Sequence, residues 1–123
     1  MKPGHLENVA ETVIRQVLER LPEAVREKMA VCAIELDWME KAVSQEPDLA
    51  DDLLGLFEGR AWGEPEDEMP GGLPRVRLFL DNLWEYSGRD RAVFREELRI
   101  TLLHEIGHYL GLDEAQVEAL GLA

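Results

Sequence analysis

Cysteine occurs only once, as Cys32 inside an apolar run, so no internal disulfide can brace the fold and the thiol reads as a small buried side chain in a reducing compartment. Long apolar runs are missing as well. No stretch approaches the roughly 18 apolar residues of a membrane helix, and the first residues carry Glu7 and Glu11 with no continuous apolar segment of the kind a secretory signal requires. The expectation is a cytoplasmic protein with no membrane partner. Basic residues are also scarce, 13 Lys and Arg against 26 Asp and Glu, for a formal charge of -13. Such a field repels DNA, RNA and anionic surfaces, which excludes nucleic acid as a partner and would steer in a cationic peptide.

What is present is enough for one compact unit. A chain of 123 residues with 46% apolar and 32% charged side chains can bury a single core and wet its surface, so one domain over residues 1–123 is expected. Leu6, Val9, Val13, Val17 and Leu21 recur at helical spacing and predict an amphipathic helix over residues 6–20. Pro22 fits the first turn of a short helix reaching Met29. The β-branched run Val31 to Leu36 suits a central strand. Residues 44–74 are punctuated by glycine and proline, leaving room for a helical turn at Asp48 to Leu54 and a brief strand at Leu56-Phe57. The acidic stretch Glu64 to Glu68 reads as solvated, and Pro70 to Pro74 as a turn. After it, Val76, Leu78 and Leu80 alternate with Arg75, Arg77 and Phe79 as in a strand. Asp81 suits the cap of a short helix, and Ser87, followed three residues later by Asp90, the start of a long one whose apolar pattern runs from about Arg91 and becomes almost continuous after Leu98.

That last helix carries His104-Glu-Ile-Gly-His108. With about 3.6 residues per turn, His104 and His108 share one face and can aim two imidazoles at one ion, while Glu105 lies about 100 degrees round the helix. From there its carboxylate can serve a metal-bound water as general base, which is the chemistry of a zinc hydrolase. Gly111 can take positive φ and turn the chain back, so that Asp113 or Glu114 supplies a third ligand. Asp113, followed three residues later by Gln116, fits a reciprocal cap, and that engagement favours Glu114 as the ligand. His5, at the start of the chain, is a poor candidate because chain starts fray. Tyr86 or Tyr109 could donate a hydrogen bond to an oxyanion, and the strand around Val76 to Leu80 could pair with a peptide along its edge.

The stretch His104-Glu-Ile-Gly-His-Tyr-Leu-Gly-Leu-Asp-Glu114 resembles the bacterial family of small zincin-like metallopeptidases, whose signature is HExxHxxGxx followed by an acidic residue. Leu21-Pro-Glu-Ala24, Leu54-Gly-Leu-Phe-Glu-Gly59 and Leu73-Pro-Arg-Val-Arg-Leu-Phe-Leu80 extend the likeness over most of the chain. The family's usual aspartate at the eleventh motif position is replaced here by Glu114, whose extra methylene changes its reach. The resemblance implies zinc on His104 and His108 and a catalytic Glu105. Together these features lead to an α+β expectation: a minimal zincin-like domain with a small twisted mixed sheet packed against the N-terminal helix and the metal-binding helix. Its expected function is zinc-dependent hydrolysis of peptide bonds in peptides or unfolded polypeptides. Hydrolysis of a non-peptide amide is compatible with the same chemistry. A non-catalytic, zinc-stabilised binding or structural domain is the alternative from another class.

Overall fold

The computed structural model describes residues 2–64 and 73–119, in the order α1 (Pro3–Arg20), α2 (Glu23–Met29), β1 (Ala33–Asp37), α3 (Met39–Gln45), β2 (Gly55–Glu58), β3 (Arg75–Phe79), α4 (Leu80–Tyr86), α5 (Arg91–Tyr109) and α6 (Glu114–Ala119). The sheet order is β1-β3-β2, with β1 parallel and β2 antiparallel to β3. This is the expected α+β architecture, a small mixed sheet packed against N-terminal and C-terminal helices. The acidic stretch Glu64 to Glu68 and the turn over Pro70 to Pro74 fall largely outside the described residues.

The sheet separates two apolar layers because alternate residues of a strand face opposite ways. Val76 and Leu78 of β3 are fully buried in the main core, with Val9, Val13 and Val17 of α1 and Phe94, Leu98 and Leu102 of α5. Phe79, on the other face, packs with Met39 and Ala42 of α3 in a smaller cluster. Arg77 shares that second face and is only 4% exposed. Its guanidinium donates to Asp37 at 2.6 Å, Glu46 at 2.7 Å and Glu58 at 2.9 Å, so the buried charge has three carboxylate partners. These hydrogen bonds, Glu46 first among them, raise its pKa above the ordinary arginine value and keep it protonated.

Two strand assignments need correction. β1 is an edge strand instead of a central one, and Val31 lies outside it, 55% exposed. β3, expected to offer a free edge, is paired on both sides. Among the described residues, the free edge beside α5 belongs to β2. There Phe79 N–H bonds Leu54 C=O at 2.9 Å, which by antiparallel alternation turns the backbone groups of Leu56 and Glu58 toward β3 and those of Gly55 and Phe57 outward. Asp81 also plays a different part from the one expected. It lies in the first turn of α4, but its carboxylate accepts from Met39 N–H at 2.8 Å and Glu40 N–H at 3.1 Å, capping α3 from across the fold.

Candidate functional site

Helix α5 is capped by Asp90 and not by the expected Ser87, which ends α4: Asp90 accepts from Val93 N–H at 3.0 Å. Its buried stripe of Phe94, Leu98, Leu102, Leu103 and Ile106 fixes the helix against the sheet and α1, leaving His104 and His108 half-exposed on its outer side. Gly111, at φ 71°, closes the helix, and α6 follows with the expected reciprocal cap: Gln116 N–H donates to Asp113 at 2.8 Å, and Asp113 N–H to Gln116 Oε1 at 2.9 Å.

Two glycines set how closely the surrounding elements approach. A Cβ on Gly107 would lie 2.5 Å from Val117 Cγ2, so the glycine inside the motif admits α6 against α5. A Cβ on Gly55 would lie 2.6 Å from Thr101 Cγ2 and 3.3 Å from Glu105 Cγ, so a bare backbone lets β2 approach the Glu105 face of α5. Sequence reasoning missed both. The signal was a glycine within a helical pattern and another opening a strand, positions where glycine weakens the element unless a neighbour needs the space.

The four predicted site residues form two separate pairs. Glu105 is buried, and its Oε1 lies 2.9 Å from His108 Nδ1. His104 Nδ1 faces Glu114 Oε1 at 3.8 Å, and the Glu114 side chain is 87% exposed on the first turn of α6. The imidazoles meet edge to face, with centroids 4.6 Å apart. A cavity of about 230 Å³ lies over them, lined by His104, His108, Leu112, Asp113, Glu114 and Val117.

A metal centre requires several donors converging on one point, with three protein ligands even in an open zinc site. Among the described residues no group of three or more His, Cys, Asp or Glu side chains could hold a metal ion. The expected ligands His104, His108 and Glu114 do not fit zinc: His108 turns its Nδ1 to Glu105, and the Glu114 side chain projects into solvent. The expected zinc cofactor is therefore corrected, and with it zinc-dependent peptide hydrolysis and the zinc-stabilised structural alternative. What remains is a polar surface of two half-exposed rings and neighbouring carboxylates, able to exchange hydrogen bonds and attract cationic groups.

The other proposed participants lie elsewhere. Tyr109 is buried, with burial pushing its hydroxyl above the ordinary pKa, and it donates to Lys28 C=O at 2.8 Å. It ties α5 to α2 and is not at the His104 surface. Tyr86 is 65% exposed at the end of α4, and His5 contacts Arg91 at the other end of α5. No helix among the described residues is long and apolar enough to cross a membrane. A family model described as Zincin-like metallopeptidase matches residues 27–122. Comparison with curated proteins finds no match.

Proposed function

The chain belongs to the zincin-like metallopeptidase family, and because no donor side chains among the described residues are gathered for a metal, we propose that it uses this scaffold to bind an extended polypeptide. The bound segment pairs with the outward backbone groups of Gly55 and Phe57 on β2, extending the sheet by one strand. His104, His108 and Glu114 then contact its side chains, and Glu105 orients His108 through their hydrogen bond. A cationic or unfolded segment suits this surface, since Asp113 and Glu114 lie beside the histidines and the whole chain carries a charge of -13. Within the family, the likeness of the stretch His104 to Glu114 to HExxHxxGxx followed by an acidic residue supports reading the chain as one of its small members.

The observation that carries this reading is the edge of β2, free among the described residues, against the Glu105 face of α5, an approach that the missing side chain of Gly55 permits. Fluorescence anisotropy with an unstructured lysine-rich octapeptide tests it. Binding should weaken at least about tenfold, or 1.4 kcal/mol, when alternate peptide amides are N-methylated, which removes backbone donors and keeps the side chains. Glu114→Gln should weaken the same peptide and reduce its salt dependence. Equal affinity for the methylated peptide would discard strand addition, and no binding of any cationic peptide would discard the function.

A further inference from the structure

On the far side of α5 from β2, a half-open cavity of about 260 Å³ lies between α1 and α5. Its floor is apolar: Val13, Val17 and Leu21 come from α1 and the α1 terminus, and Leu103 from α5, all in contact with the main core. Its rim is cationic. Arg20, Arg95 and Arg99 all line it, against the single carboxylate of Glu96.

That sign is opposite to the rest of the molecule, where acidic residues outnumber basic ones 26 to 13. Nor is the charge consumed internally. Glu96 pairs with Arg99 at 2.5 Å, whereas Arg20 and Arg95 have no carboxylate partner among the described residues. Arg77 shows the contrast: a structural arginine in this fold is surrounded by acceptors. Two guanidinium groups left at the mouth of an apolar cavity are placed to receive an anion, and planar guanidinium forks match a carboxylate in particular.

We propose that this cavity binds a small amphipathic monocarboxylate of the fatty-acid type, with its alkyl chain on Val13, Val17, Leu21 and Leu103 and its headgroup on Arg20 and Arg95. Glu96 holds Arg99 at the rim and opposes a second negative charge, which selects a monoanion over a dianion. Both parts of the ligand are required. Against the net negative field a simple anion gains little, and an uncharged chain leaves the guanidinium groups to water. The volume, about 260 Å³, falls just below the range for drug-sized clefts, about 300–1,000 Å³, and suits a short alkyl chain. This site is independent of the polypeptide-binding reading.

Isothermal titration with decanoate below its micellar concentration is the test, with decanol and acetate as controls. Decanoate should bind saturably at one site per chain, at least about tenfold more tightly than either control. The double variant Arg20→Gln, Arg95→Gln should lose that preference while unfolding normally in urea, because both side chains are exposed. Glu96→Gln should let a dicarboxylate of the same length compete. Decanol binding as tightly as decanoate, unchanged affinity in the double variant, or absence of saturable binding would each overturn the proposal. So would preferential binding of a peptide with a free C-terminal leucine, which would assign the cavity to a chain terminus.

Discussion

Alanine normally outranks glycine inside a helix by about 1 kcal/mol, yet at Gly107 the order should reverse. The added Cβ would sit 2.5 Å from the stiff, β-branched side chain of Val117, and overpacking of this kind costs about 1–3 kcal/mol. Gly107→Ala is therefore expected to lower urea stability by about 1 kcal/mol net, with Val117→Ala restoring part of it in the double variant. Additive losses in that cycle would show that Gly107 does not serve helix approach. Cys32 provides a chemical check on the same core. Burial pushes its thiol up to about 11, against a lesser lowering by its backbone contact with Val76. Folded protein at pH 8 should react with a thiol reagent far more slowly than urea-unfolded protein, and equal rates would contradict the buried placement.

Asp81 links two short elements. α3 receives no side-chain hydrogen bond from its own N-cap residue, Trp38, and both of its capping bonds come from Asp81. Asp81→Ala should cost about 1–2 kcal/mol and accelerate hydrogen exchange at the Met39 and Glu40 amides; unchanged protection there would refute the cap. This bond also explains why α3 was illegible in the sequence, since its start signal lies on another element. The opposite holds for α6, whose Asp113–Gln116 box is local and was readable, whereas the cap of α5 fell on Asp90 instead of Ser87 because the turn at Gly88 and Arg89, both at positive φ, separates α4 from α5. Strand positions were only partly readable. The alternation Val76, Arg77, Leu78 marked β3 as a strand, but its central place depends on β1 and β2 arriving from distant parts of the chain. The site was legible to the same degree. Helical periodicity put His104, Glu105 and His108 together, while the pairing of Glu105 with His108 and the outward reach of Glu114 depend on side-chain torsions and the seating of α6.

At the scale of the whole molecule, acid should weaken the fold through the Arg77 cluster. The hydrogen bond from Arg77 holds Glu46 below the ordinary carboxylate value of 4.5. A carboxyl depressed in the folded state stabilises above its unfolded pKa, and that contribution is lost as pH falls toward the folded value. Thermal melts should therefore show the midpoint dropping below about pH 4.5. Arg77→Met should lower the melting temperature at neutral pH, by leaving Asp37 and Glu46 without their cation while Glu58 keeps Arg75, and should flatten the acid limb. An unchanged acid limb would mean that other groups control it.

Arg77 also bears on how the chain avoids misfolding. Asp37 lies on β1, Glu46 just beyond α3 and Glu58 on β2, so one guanidinium recognises three segments that must converge on β3. A one-residue slip of β3 would turn this charge into the hydrocarbon layer that holds Val76 and Leu78, and strand Phe79 away from α3. The arginine thus works as a proofreading device: misaligned sheets are penalised, and only the correct alignment releases the penalty.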